Sequence, residues 1–383
     1  MEDQLPRRRR RSARRAGHRR RAGRSVITSG GLGLTEDDLT VDIACALTGQ
    51  AAIIDEPARA AMLARFGERA SAPLMLRQVR VPESARVHAN PAGLAPGFEV
   101  TVGGTLVVCL PGVPRELHAI YDAGLRERLV ALWAARGDAP AIARRTFRAF
   151  GLGESQLSAR CRGLVDGVPG ASLHYQVKFP EVLLKLVVRS PVAGDQAGAD
   201  AALATLDAGL RERVGEACYG VGEPALPARV AAGLVGAGVT VAVAESCTGG
   251  LLGQLLTEPA GASAYFRGGA ITYADDEKVR QLGVSPATLA AHGAVSEACA
   301  VEMARGAQAR FDVDRAIAIT GIAGPSGGSV DKPVGTVWLA LARRGAEEVT
   351  TKHLHWPGAR DMVRTLSAWW ALALLRDSLP PSG

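Results

Sequence analysis

Val239-Thr240-Val241-Ala242-Val243-Ala244-Glu245-Ser246-Cys247-Thr248-Gly249-Gly250 carries a β-branched apolar run straight into a serine, a cysteine, a threonine and two glycines, and a leucine-rich segment follows at once. A short apolar run bounded by turn residues marks a strand buried on both faces, and such strands belong to parallel sheets covered by helices. Ligands bind these sheets at the carboxyl ends of the strands, so the run sets Ser246 at the mouth of a sheet. Lys278 follows 32 residues later, one of only five lysines in a chain that otherwise takes its positive charge from arginine. Arginine cannot act as a base near neutrality and lysine can. Ser246 and Lys278 are therefore the first candidate pair.

Around this stretch, residues 223–383 alternate helix and strand in the manner of a parallel α/β sheet. Helices are expected at 227–236, 250–256, 277–282, 296–311 and 360–377, and strands at 239–244, 269–273, 316–320 and 335–342. Three strand ends carry polar or glycine-rich chemistry: 245–250, Thr272-Tyr273, and the segment that opens with Thr320-Gly321. A serine hydroxyl is a poor nucleophile until a base takes its proton. A lysine serves as that base when its surroundings disfavour the ammonium form, as the start of a helix does. Backbone N–H groups at the start of the helix after Ser246 are placed to stabilise an oxyanion. Tyr273 is placed to relay or position a proton, and Thr320 and Gly321 add a hydroxyl and N–H donors. Together these residues describe an acyl-transfer site of the Ser–Lys type that needs no metal. Plainer roles compete for each of them. Ser246 also suits a helix N-cap, Lys278 a solvated helix residue paired with Asp275, Cys247 a small buried residue, and Thr320-Gly321 a simple turn.

Composition narrows the function classes. Six scattered cysteines, none in CxxC spacing, argue against a zinc site or a disulfide framework and fit a reducing cytoplasm. The longest apolar run, 230–244, contains three glycines and falls short of the roughly 20 residues a membrane-spanning helix needs. The net charge of +7 is local in origin: residues 1–25 hold eleven arginines and a balance of +9, which leaves −2 for everything after them. That arginine run has no apolar segment behind it and no aromatic residues on which bases would stack. Its composition suits a disordered tail, with a basic nucleic-acid arm or a non-native coding segment as the other readings.

Two further blocks precede residue 223. Residues 26–140 open with the turn Ser29-Gly30-Gly31-Leu32-Gly33-Leu34-Thr35-Glu36-Asp37-Asp38, and later a strand at 105–110 runs into Pro111-Gly112-Val113-Pro114 and a helix. Strand, glycine-rich turn and helix together form an anion-binding arrangement, although no third fingerprint glycine or Walker lysine is present. Residues 141–222 read as a small α+β module, with a strand pair at 171–178 and 181–189 hinged at Phe179-Pro180 and a closing helix at 195–214.

The third block resembles the C-terminal domain of the CinA (competence/damage-inducible protein A) family, the nicotinamide-nucleotide amidohydrolase also called PncC. The resemblance rests on Ala244-Glu245-Ser246-Cys247-Thr248-Gly249-Gly250, Gly261-Ala262-Ser263, Thr272-Tyr273 with Lys278, His292-Gly293-Ala294-Val295-Ser296, Thr320-Gly321-Ile322-Ala323-Gly324-Pro325 and Lys332-Pro333-Val334-Gly335-Thr336-Val337. It implies a three-layer α/β fold and hydrolysis of nicotinamide mononucleotide to nicotinate mononucleotide and ammonia, without cofactor or metal. Ser246 is implied as nucleophile and Lys278 as its base, with Tyr273 and Thr320 assisting. Cys247, Thr248, Gly249, Gly250 and Gly321 are implied to line the substrate site, and Arg360 and Arg364 to be phosphate ligands; a solvated helix face is the competing reading of that arginine pair. The family usually has Ser-Asn after the tyrosine, where this chain has Ala274-Asp275. An acidic group there favours the ammonium form of Lys278, so activity is expected at higher pH.

The first block is similar to the molybdopterin-binding-like domain of the same family and the second to its KH-like module. The implied organisation is an arginine-rich tail (1–25), an incomplete molybdopterin-binding-like domain (26–140), a KH-like module (141–222) and the amidohydrolase domain (223–383). In the family the first domain starts about two strands and two helices earlier, so a misread start, a shifted frame or a truncation is expected. The implied partners are a small nucleotide substrate and further copies of the chain, with neither membrane nor nucleic acid. Two other functions stay open: a metal-dependent ADP-ribose or nucleotide pyrophosphatase using the loop at 30–38, and a non-catalytic competence- or damage-related binding module.

Overall fold

The computed structural model describes residues 25–135, 140–222 and 224–380. The expectation of a disordered tail falls almost wholly on residues 1–24, outside the described residues. The chain divides into two compact units between residues 139 and 140.

The first unit contains β1 (Ser25–Ser29), α1 (Thr40–Thr48), β2 (Ala52–Ile54), α2 (Glu56–Phe66), α3 (Pro73–Leu76), β3 (Arg80–Pro82), β4 (Arg86–His88), β5 (Gly97–Val102), β6 (Thr105–Leu110), α4 (Pro114–Ile120) and α5 (Arg126–Ala134). Four strands form a sheet in the order β1-β6-β5-β4, in which β1 and β6 are parallel. The two-residue period of a strand sends alternate side chains to opposite faces. Phe98, Val100 and Cys109 accordingly pack with Val41 and Ala44 of α1, while Val108 and Leu110 pack with Ile120 and Leu125.

The second unit opens with β7 (Pro140–Ala149), α6 (Glu154–Arg160), β8 (Ala171–Lys178), β9 (Glu181–Ala193), α7 (Gln196–Val214) and β10 (Cys218–Val221), whose antiparallel sheet has the order β10-β7-β9-β8. Leu203, Leu206 and Leu210 of α7 cover Phe147, Leu184 and Leu186 on one face of that sheet. Phe150 and Tyr219 reach out of the module to Trp369, with ring centroids 5.4 and 6.5 Å away.

There follow α8 (Leu226–Ala237), β11 (Val241–Glu245), α9 (Leu251–Thr257), β12 (Phe266–Ile271), α10 (Asp275–Leu282), α11 (Pro286–His292), α12 (Glu297–Phe311), β13 (Arg315–Gly321), β14 (Thr336–Arg343), β15 (Thr350–His355) and α13 (Arg360–Asp377). The five strands lie in the order β12-β11-β13-β14-β15. β11, β12 and β13 are parallel, but β14 pairs antiparallel with both β13 and β15, so the sheet is mixed where a parallel one was expected. The reason lies in the connection. No helix crosses between β13 and β14, so the chain re-enters the sheet from the end it left.

Every residue of β11 is buried. Val241 and Val243 pack with Leu252, Leu256 and Leu372, while Ala242 and Ala244 pack with Cys299, Ala300, Met303 and Ala304 of α12. Helices thus cover both faces, giving the three-layer α/β architecture, and the alanines on one face let α12 lie close to the sheet. No helix among the described residues is long and apolar enough to cross a membrane.

Candidate active site

β11 ends at Glu245, level with Ile271 of β12 and Ile319 of β13. One residue further along each chain stand Thr272, Ser246 and Thr320. Strand alternation directs all three to the face that carries Ala242 and Ala244. The ladder continues to this point: the Ser246 N–H donates to the Ile319 carbonyl at 3.0 Å, and the Thr272 N–H to the Glu245 carbonyl at 2.8 Å. Thr272 and Thr320 are 0 % exposed and Ser246 7 %. A row of three buried hydroxyl-bearing residues therefore crosses the end of the sheet with Ser246 in the middle.

Glu245 points to the opposite face and takes over the N-cap role that was open to Ser246. Its carboxylate accepts from the N–H groups of Gly250 (3.0 Å), Leu252 (3.1 Å) and Gly253 (2.8 Å), so a buried anion satisfies the head of α9. Among the described residues the Ser246 hydroxyl has no hydrogen-bond partner. The turn between them needs glycine: Gly249 and Gly250 have φ of 58° and 95°, in the left-handed region. A Cβ on Gly250 would also lie 3.2 Å from Ile271.

Lys278 is 1 % exposed, which removes the reading of a solvated lysine. Its ammonium donates to the carbonyls of Thr272 (3.1 Å) and Tyr273 (3.3 Å) and to the carboxylate of Asp275 (3.2 Å). The amine thus sits on the backbone of the residue beside Ser246, without a hydrogen bond to Ser246 itself. Tyr273 is largely exposed, and its hydroxyl accepts from Arg360 at 3.0 Å. Arg360 also donates to the Gly324 carbonyl (2.8 Å), and Arg364 donates to the Thr248 carbonyl (2.7 Å). The two arginines are therefore not free on a helix face: from α13 they hold the segments that follow β11, β12 and β13.

The remaining predicted residues divide by what occupies them. The Thr320 hydroxyl donates to the Ala294 carbonyl at 2.8 Å and so anchors the loop before α12. A Cβ on Gly321 would fall 2.6 Å from Val337 and 2.9 Å from the Thr336 carbonyl, so this glycine permits the close approach of β13 and β14. Burial pushes the Cys247 thiol up to about 12, which suits a small buried residue and not a nucleophile. The hydroxyls of Thr248 and Thr272 and the Nε of Arg364 are buried without hydrogen-bond partners.

Two residues gain roles that sequence reasoning did not give them. Glu245 looked like the polar end of a strand, and only the reach of its side chain identifies it as the cap. Thr272 lay inside a quoted motif, but its burial and its unpartnered hydroxyl had no sequence signal. Among the described residues no three His, Cys, Asp or Glu side chains are grouped as metal ligands would be.

Comparison with known proteins follows the same division of the chain. The CinA C-terminal domain model matches residues 223–379, the "Damage-inducible protein CinA KH domain" model residues 144–220, and the "Probable molybdopterin binding domain" model residues 10–130. A CinA-like protein of Anaeromyxobacter sp. is 41% identical over 367 residues, covering 94% of this chain and 86% of the relative. A CinA-like protein of Geobacter sulfurreducens is 40% identical over 358 residues, covering 93% and 84%. Among solved structures, the competence/damage inducible protein CihA from Agrobacterium tumefaciens is 42% identical and covers 39% of this chain and 91% of its own, with a TM-score of 0.38. With relatives of this identity along nearly its whole length, and three domain models matched in turn, the chain belongs to the CinA family.

Proposed function

We propose that this chain is a cytoplasmic amidohydrolase that converts nicotinamide mononucleotide to nicotinate mononucleotide and ammonia, with Ser246 as nucleophile. The observation that carries the reading is the Ser246 hydroxyl: unpartnered on a residue only 7 % exposed, flanked by two buried threonines and next to the residue whose carbonyl holds the Lys278 amine. A hydroxyl so placed at the carboxyl end of a central strand is available to attack.

In this reading Ser246 Oγ bonds to the carboxamide carbon, and Lys278 is the final acceptor of its proton. Glu245 narrows the source of oxyanion donors, because it has taken the N–H groups of Gly250, Leu252 and Gly253. The Thr248 N–H has no backbone acceptor among the described residues and supplies a donor two residues after the nucleophile. Collapse of the tetrahedral intermediate releases ammonia, and water then hydrolyses the acyl-serine. Each arginine has five N–H donors, so Arg360 and Arg364 retain donors for the substrate phosphate beyond those holding Gly324, Tyr273 and Thr248.

Ammonia release from nicotinamide mononucleotide, measured with EDTA present, tests the reading. Ser246→Ala and Lys278→Ala are expected to lose at least about 10³-fold in kcat. Undiminished turnover in Ser246→Ala overturns the assignment, and activity abolished by EDTA points to the metal-dependent alternative.

A further inference from the structure

The sheet of the KH-like module has two faces of opposite character. On the face covered by α7 the cations are paired, Arg145 and Arg211 both bonding to Asp207. The other face is set by the pairing register. Arg144 of β7 lies opposite Val187 of β9, Thr146 opposite Lys185, and Ile142 opposite Arg189, while across β9 and β8 Lys185 lies opposite His174 and Glu181 opposite Lys178. Strand alternation turns these side chains away from α7. Arg144, Lys178, Lys185 and Arg189 are all exposed, and none has an ion-pair partner among the described residues. The strand residues of this face include one carboxylate, Glu181, which is buried against Arg148 at 2.6 Å. These cations form no basic run in the sequence; only the register of three strands gathers them.

Unpaired cations that share one open surface repel one another, and a bound polyanion relieves that repulsion. We propose that this face binds the sugar–phosphate backbone of a single-stranded nucleic acid, a function independent of the Ser246 site. Lys185 and Arg189 stand four residues apart on β9, about 13 Å at the rise of a strand, and Arg144 lies opposite Val187, midway between them. The cations thus make a zigzag track along which a flexible run of phosphates is neutralised. Thr146, Ser172, His174 and Gln176 lie on the same face and offer donors to phosphate and sugar oxygens. Phe179, half-exposed at the tip of the β8–β9 hairpin and next to Lys178, adds a ring on which a base can stack. A sheet face has no helix or ribbon to enter the groove of a duplex, which selects a single strand.

Fluorescence anisotropy of the full chain with labelled oligouridylate and oligothymidylate of about 12 nucleotides tests the proposal. Binding of either strand sustains it, and the tighter of the two names RNA or DNA as the ligand. Combining Arg144→Gln, Lys185→Gln and Arg189→Gln is expected to weaken binding at least about tenfold and to reduce the slope of log affinity against log salt by about 0.7 for each cation removed. Arg145→Gln, the same change of charge on the α7 face, is expected to leave affinity within about twofold of wild type. The arginine-rich segment 7–24 is a second source of positive charge, so the contact is also located directly, by photo-crosslinking the unaltered chain to an oligonucleotide carrying 4-thiouridine. Adducts are expected on residues 171–189. Adducts confined to residues 1–24 overturn the proposal, as does a triple variant that binds as tightly as wild type or an Arg145→Gln variant that is weakened equally. A duplex bound more tightly than either single strand overturns it too, and so does polyglutamate that displaces the labelled strand as well as unlabelled RNA does.

Discussion

The Glu245 carboxylate accepts the backbone N–H of Gly253 at 2.8 Å, across the turn that carries Ser246. Strand end, nucleophile and helix head are thereby fixed to one another by a buried side chain that also takes the N–H groups of Gly250 and Leu252. Glu245→Gln preserves size but turns an NH₂ group toward N–H donors. It is expected to destabilise the chain by about 2 kcal/mol, the usual scale for hydrogen bonds to a charged group, and to lower turnover because the turn loosens. Urea unfolding and ammonia release measured on one preparation check both effects. A variant as stable as wild type would remove Glu245 as the organiser of the turn.

Cys247 is adjacent to the nucleophile and is the obvious rival for its role. Burial pushes its thiol up to about 12, so almost no thiolate exists near neutrality. Native protein at pH 8 is expected to leave Cys247 unmodified by iodoacetamide, as peptide mass mapping would reveal. Cys247→Ala should retain kcat to within about threefold, since only a small packed side chain is lost. Rapid alkylation accompanied by loss of turnover would make Cys247 the nucleophile.

How much of this was legible in advance depended on periodicity. The β11 run 241–245 and the glycines after it placed Ser246 at a strand end, because a buried strand and a left-handed turn each leave a local mark. α13, Arg360–Asp377, matches its expected span residue for residue. β15 left no such mark: in Thr350–His355 only Leu354 is buried, so a polar segment reads as loop until its pairing with β14 is seen. The burial of Lys278 was hidden for the opposite reason. Asp275, Asp276, Glu277 and Arg280 make α10 look solvated, whereas the lysine, like Leu282, is buried, and it tucks onto the Thr272 and Tyr273 carbonyls. Side-chain reach of this kind is a tertiary property with no period to detect.

The Asp275 carboxylate lies 3.2 Å from the Lys278 amine. It is one of three acceptors that hold the amine, with the carbonyls of Thr272 and Tyr273. Asp275→Asn keeps an acceptor there and removes the charge, and is expected to leave kcat within about threefold of wild type, the scale of a solvated ion pair. Because Asp275 is mostly exposed, little change in melting temperature should accompany the substitution. A kcat lowered more than about tenfold would show that the charge of Asp275 is needed to place the Lys278 amine.

Asp314 fastens the opposite end of the same central strand, accepting from the Thr240 hydroxyl at 2.7 Å and from the Thr240 N–H at 2.9 Å. These hydrogen bonds, helped by Arg344 and Arg315, hold its carboxyl below the usual value of 3.8. The ionised form is thus preferred in the folded state. The stabilisation is present above the unfolded value and disappears as pH falls through the lower folded one. Asp314→Asn is expected to cost about 1 kcal/mol at pH 7, kept small because the carboxylate is partly solvated. The gap between variant and wild type should close below about pH 3. Urea midpoints measured from pH 7 down to pH 2 decide the matter: a difference that stays constant through that range would mean that Asp314 ionisation contributes nothing to holding β11 and β13 together.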